Sequence, residues 1–134
     1  MLTLLAALCL TLAPAPTAGG FADLESQLES VTRALGAGDA ESAARHFDRT
    51  VEVVLPGGVE DILARDAAAQ ALAKFFRQHP PKEFAQVHGG TSAGRDGAYV
   101  IGTLVARSGE KFRVYVYGSG TAGVAVQELR IEEE

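Results

Sequence analysis

The sequence predicts an α+β domain in which three helices pack on a mostly antiparallel sheet. Two kinds of pattern predict it. Apolar residues recur at helical steps in the first two-thirds of the chain, and strict alternation runs from Tyr99 to Glu132 in the last third. A length of 134 residues is enough for one core, and no internal repeat or linker divides it.

Phe21, Leu24, Leu28, Val31 and Leu35 fall on one side of a first helix, with Asp23 as its cap and Gly36 or Gly38 as its end. Asp39 suits the N-cap of a second, shorter helix whose apolar side is Ala40, Ala43, Ala44 and Phe47, and Glu41 in its first turn complements the dipole. Thr50 to Leu55 is rich in β-branched residues and is stopped by Pro56-Gly57-Gly58, which predicts a strand and a turn. Val59 to Leu63 follows as a short strand or extended crossing. Asp66 is the expected cap of a third helix, Ala67 to His79, with Ala68, Ala71, Leu72, Phe75 and Phe76 on one side and Pro80-Pro81 forcing the exit.

Phe84 to Thr91 reads as a strand and Gly94 to Gly97 as a turn. Two hairpins then close the chain. A two-residue turn at Ser108-Gly109 sets Val105 against Phe112, Thr103 against Val114 and Ile101 against Val116. It also places Arg107 beside Glu110 as a charge pair. A symmetric Gly118 to Gly123 loop sets Arg113 against Glu128, Phe112 against Leu129 and Val114 against Gln127. The expected inner face is therefore Ile101, Thr103, Val105, Phe112, Val114, Val116, Gln127, Leu129 and Ile131. The outer face carries Arg113, Tyr115, Tyr117, Val126, Glu128 and Arg130, with Gly102 beneath Tyr115. Tyrosine and arginine on a sheet face match the composition of interfaces, and a solvated face with paired charges fits equally.

Leu2 to Leu12 is an unbroken apolar or small run followed by Ala13-Pro14-Ala15-Pro16-Thr17-Ala18-Gly19. It is too short for a bilayer-spanning helix and suits a signal peptide cleaved after Ala18, although no Lys or Arg precedes it. The expected organisation is a signal peptide over residues 1–18, one domain over 19–134, and a protein that is periplasmic or secreted. Cys9 is the single cysteine and lies in the leader, so the mature chain has no thiol or disulfide. The net charge of −5 offers no basic footprint for nucleic acid.

The order of elements resembles the nuclear transport factor two-like (cystatin-like) superfamily. The residues that carry it are Ala34-Leu35-Gly36-Ala37-Gly38-Asp39, Ala43-Ala44-Arg45-His46-Phe47-Asp48 and Thr50 to Gly58. Phe75-Phe76, Pro80-Pro81-Lys82, Tyr99 to Leu104, Phe112-Arg113-Val114-Tyr115 and Gln127 to Ile131 resemble, more narrowly, a family of exported bacterial domains of unknown function. The resemblance covers roughly residues 21 to 132. It implies a strongly curved sheet wrapped on the helices, with a conical cavity between them, and dimers formed through the sheets.

The strongest enzymatic model in that superfamily is the ketosteroid isomerase type, which needs a carboxylate base beside an apolar pocket and a donor for the enolate oxygen. Alignment puts the base at Val53 or Leu55, both apolar, and the tyrosine such enzymes draw from the first helix has no counterpart. Glu52 or Asp48 would have to be recruited, and alternation turns Glu52 away from Val51, Val53 and Leu55.

His46 lies off the apolar side of its helix, and His79 suits the C-terminus of the third. His88 faces the cavity if Phe84 and Gln86 do, and solvent in the other register. No pair of residues has metal-ligand spacing. Gln127 and Thr103 are the polar residues on the expected inner face, and either orient a neutral ligand or satisfy each other. Tyr99 stands at the cavity mouth. The expected ligand-binding set is thus Gln127, Thr103, His88 and Tyr99, with no catalytic residue, metal or cofactor. The expected function is a small non-catalytic domain that binds an apolar molecule or a protein partner. The alternatives are an isomerase- or dehydratase-like enzyme without the usual base, and a structural homodimer.

Overall fold

The computed structural model describes residues 21–92, 97–120 and 125–134, with only the backbone of residues 21–24 and 92. The leader, Cys9, the Asp23 cap, the side chains of Phe21 and Leu24, the start of the Gly94 turn and the centre of the Gly118 to Gly123 loop lie outside these residues. The elements run α1 (Phe21–Ala37), α2 (Ala40–Ala44), β1 (Phe47–Leu55), β2 (Val59–Ala64), α3 (Arg65–Gln78), β3 (Pro81–Ser92), β4 (Gly97–Ala106), β5 (Lys111–Ser119) and β6 (Ala125–Glu133). The strands form one sheet of order β2-β1-β6-β5-β4-β3. Only β1 and β6, the first and last strands, pair in parallel, so the sheet is mixed. All three helices take the same side: α1 packs on β3 and β4, α3 on β1 and β2, and α2 fills the angle between α1 and α3.

Local chemistry explains the helix ends. Gly38 terminates α1 at φ +72, and the N–H groups of Gly38 and Asp39 donate to the carbonyls of Leu35 and Ala34, the paired bonds of a Schellman motif. A side chain at residue 38 would meet the Pro81 ring. Asp39 then serves α2, accepting from the Ser42 backbone N–H at 3.0 Å and its hydroxyl at 2.6 Å. Phe47, expected on α2, instead opens β1, because α2 ends at Ala44. Asp66 is not the cap of α3. The helix begins one residue before it, and Ala64 occupies the N-cap without a side-chain hydrogen bond.

The β4–β5 hairpin corrects the expected register. Its turn has three residues, Arg107, Ser108 and Gly109, closed by bonds of 2.9 Å from Ala106 N–H to Glu110 C=O and from Gly109 N–H to Ala106 C=O. Gly109 takes φ +95, the glycine bulge that this hairpin class uses. One extra residue inverts every side chain of β4 relative to β5. Leu104 therefore faces Phe112, and Gly102 faces Val114. Ala98, Val100, Gly102, Leu104 and Ala106 point to the helices, while Ile101, Thr103 and Val105 lie half-buried on the opposite face. Gly102 is covered by Phe84 from the inner side, not by Tyr115 from the outer. Glu110 turns to His79 rather than Arg107.

The β5–β6 hairpin differs by an even shift. Val116 pairs with Leu129 and Val114 with Ile131, four residues from the expected partners, so Leu129 and Ile131 keep the inner side. A bulge between Tyr117–Glu128 and Gly118–Val126 leaves Gln127 unpaired and exposed. Val126, expected outside, is consequently buried. In β3 a second bulge, between Gln86 and His88, ejects Val87 to 71% exposure and turns His88 outward although Phe84 packs inward.

The core between sheet and helices joins Leu28, Val31 and Leu35 to Leu72, Phe75 and Phe76, and to Val51, Val53, Phe112, Val114, Leu129 and Ile131. Among the described residues its only buried polar side chain is Thr32, whose hydroxyl donates to the Glu29 carbonyl at 3.0 Å within α1. No helix of the described residues is long and apolar enough to cross a membrane.

Candidate functional site

The helix-free face of the sheet gathers the polar aromatics. Tyr99 on β4 pairs with Tyr117 on β5, and its ring stacks on Tyr115 at 6.3 Å between centroids and 23° between planes. His88 Nε2 lies 2.8 Å from the Tyr99 hydroxyl. Backbone glycines make room for these rings. A Cβ at Gly90 would come within 3.5 Å of the Tyr99 ring, and one at Gly97 within 2.8 Å of the Tyr117 ring. Each ring thus lies on backbone where a side chain is missing, which limits its rotamers. Ile101, Thr103 and Val105 continue the face along β4, and Val54 and the 67%-exposed Ile62 extend it across β1 and β2.

Charges cross the middle of this surface. Arg130 on β6 binds Glu128 through Nε and lies 3.7 Å from Glu52 on β1. Both partners favour its charged form and push its pKa further up. Burial pushes the Tyr115 phenol up from its ordinary value, with the Glu128 carboxylate as the second cause.

Two of the four expected ligand residues, His88 and Tyr99, are thus brought together, and Thr103 shares their face. None of the three points into the helix-covered core. Thr103 is turned outward by the three-residue turn, and Gln127 is exposed by its bulge. Sequence reasoning missed Ile62, whose exposure follows from its place opposite Glu52 on an edge strand. On the inner side, the positions aligned with an isomerase base, Val53 and Leu55, are buried in the core. Glu52 faces outward, paired to Arg130, and Asp48 accepts from the Arg49 backbone N–H at 2.7 Å. His46 is half-buried, and His79 donates its backbone N–H to Phe75 at the end of α3. No group of three metal-ligating side chains occurs among the described residues.

A family model for a domain of unknown function, DUF4783, matches residues 28–132. The chain belongs to the DUF4783 family. A solved DUF4783 protein from Bacteroides fragilis YCH46 is 25% identical, with 78% of this chain and 96% of that one covered at a TM-score of 0.69. One from Bacteroides ovatus ATCC 8483 is 23% identical over 78% and 93%, at 0.70. More distantly, an NTF-2 like protein of unknown function from Silicibacter pomeroyi DSS-3 is 17% identical over 85% and 95%, at 0.60. This last likeness, like that to a cystatin fold protein from Novosphingobium aromaticivorans, concerns the fold alone. No curated protein matches the chain. The fold is an α+β arrangement, as the sequence patterns implied, and its likeness to cystatin-fold proteins agrees with the family resemblance.

Proposed function

We propose that this DUF4783 domain is an exported, non-catalytic interaction module that works through the open face of its sheet, with a second copy of the chain as partner. The observation that carries the reading is the cluster of Tyr99, Tyr115 and Tyr117 with Ile101 and Val105, and beyond the charges of β6 the apolar Val54 and Ile62, on a face that no helix of the described residues covers. Antiparallel sheets commonly leave one face to water, but such a face is then polar. Here three tyrosines and several aliphatic side chains share it with charged ones, and tyrosine and arginine are the types enriched where proteins meet. His88 and Thr103 belong to this contact, and Gln127 lies at its rim. The same reading takes the sheet as strongly curved around the helices, and takes residues 1–18 as a leader removed on export, from their apolar run and small-residue end.

Sedimentation of the mature protein tests the partner. Wild type should sediment as a dimer, and Tyr115→Ala combined with Ile62→Asp should sediment as a folded monomer with unchanged circular dichroism. A wild type that stays monomeric up to about 1 mM, the weak end of specific association, overturns the reading. N-terminal sequencing of protein recovered outside the cytoplasm should begin at Gly19.

A further inference from the structure

β2 is an edge strand. Among the described residues it has β1 on one side and no strand on the other. Such an edge presents backbone N–H and C=O groups without ladder partners, which is a template for another strand. The middle of β2 is also bare, with Glu60, Asp61 and Ile62 all exposed and Ile62 at 67%.

Side chains occupy backbone groups along this edge. The Ile62 N–H donates to Asp61 Oδ1 at 2.8 Å, the length of a ladder bond. Alternation then turns the backbone of Ile62 to the open side, and that of Asp61 and Leu63 to their β1 partners Val53 and Val51. β1 itself runs on past β2, whose last pair with it is Thr50–Ala64. There Asp48 accepts from the Arg49 N–H at 2.7 Å, and Arg65, the residue after β2, donates Nε to the Phe47 carbonyl at 3.0 Å. Asp61 and Asp48 thus supply acceptors, and Arg65 a donor, of the kind that an added strand would supply.

We propose that the β2 edge is a latent pairing surface for a second copy of this chain, held shut by the Asp61 carboxylate. Two β2 edges fit antiparallel about a two-fold axis at Ile62. Ile62 then meets Ile62, Glu60 meets Ala64 and Asp61 meets Leu63, so no like charges stand directly opposite. In this register the two Ile62 residues exchange both N–H···O=C bonds, the closely spaced pair of an antiparallel ladder. In each copy Asp61 Oδ1 holds the N–H that the exchange needs, and so stands where the carbonyl oxygen of the other Ile62 would lie. The contact runs along the strand edge and does not rest on the partner assigned to the tyrosine face.

The test compares the full-chain wild type with Asp61→Ala and Asp61→Asn by sedimentation at up to about 1 mM, the weak end of specific association. Circular dichroism of both variants should match wild type, because Asp61 is exposed. Asp61→Ala should gain a species of at least about twice the wild-type mass, since an isologous contact joins two particles. Asp61→Asn keeps an acceptor oxygen for the Ile62 N–H and should sediment as wild type. Hydrogen exchange across Val59–Ala64 should slow as the Asp61→Ala species forms, with residues 99–117 unchanged. An Asp61→Ala protein no larger than wild type overturns the proposal. So does Asp61→Asn assembling as Asp61→Ala does, or slowed exchange over residues 99–117 in place of Val59–Ala64.

Discussion

The Phe84 ring occupies the space that a side chain at Gly102 would need. A Cβ at residue 102 would come within 2.9 Å of Phe84 Cε1 and 2.6 Å of the Ala85 carbonyl oxygen. The ring can turn aside, but the carbonyl is fixed in the β3–β4 ladder. Gly102→Ala should therefore destabilise the domain by about 1–3 kcal/mol, the usual range for overpacking, as measured by urea denaturation. Removing the ring in a Phe84→Ala background should relieve only part of that loss, because the backbone clash stays.

Gly109 offers the contrasting case. Its φ is +95 and nothing lies within 4 Å of where a Cβ would stand. Gly109→Ala should cost about 1–2 kcal/mol through backbone conformation alone. Gly109→Asn should cost less, since asparagine tolerates positive φ better than alanine. A hairpin that accepts Gly109→Ala without loss of stability would contradict the three-residue turn.

Asp39 links the α1–α2 junction to pH. Its carboxyl is held below the ordinary value, first by the Ser42 hydroxyl, then by the Ser42 backbone N–H. A depressed carboxyl contributes stability above its unfolded pKa, and that contribution disappears as pH falls through the folded pKa. Thermal melts should thus show a midpoint falling below about pH 4, with a smaller fall in Asp39→Asn, which keeps a capping oxygen but cannot titrate. Asp39→Ala should lower the midpoint at neutral pH as well.

Tyr115 carries the opposite sign. Its phenol is pushed up by burial and, secondarily, by Glu128, so the folded chain prefers the neutral form. The unfolded chain ionises first as pH rises, and stability falls above the ordinary phenol value. Absorbance titration should show a late-ionising tyrosine that disappears in Tyr115→Phe. Glu128→Gln should bring it part of the way down, with burial keeping the remainder.

The legible parts of the fold were those in which one side of an element is apolar and the other is not. The α1 row of Leu28, Val31 and Leu35 and the β5 row of Phe112, Val114 and Val116 are buried as their spacing predicted. In β4 both sides are apolar enough to be buried, since Val100 and Leu104 alternate with Ile101 and Val105. Alternation could not choose between them, and Ser108-Gly109 fits either a two-residue turn or the end of a three-residue one. The candidate site shifted with that choice. Thr103 moved to the tyrosine face, and His88 met Tyr99 there through a bulge that no local pattern announced.

The amino-acid order by itself determined the number, kind and succession of the elements, because helical and strand periods, caps and Pro-Gly stops act over a few residues. It also determined that the aligned isomerase-base positions are apolar, since Val53 and Leu55 are read directly. Tertiary structure alone decided which side of β4 meets the helices and where β6 slips past Gln127. These depend on packing between segments distant in the chain. Moving a strand by one residue changes few local interactions, yet it exchanges the buried side chains for the exposed ones.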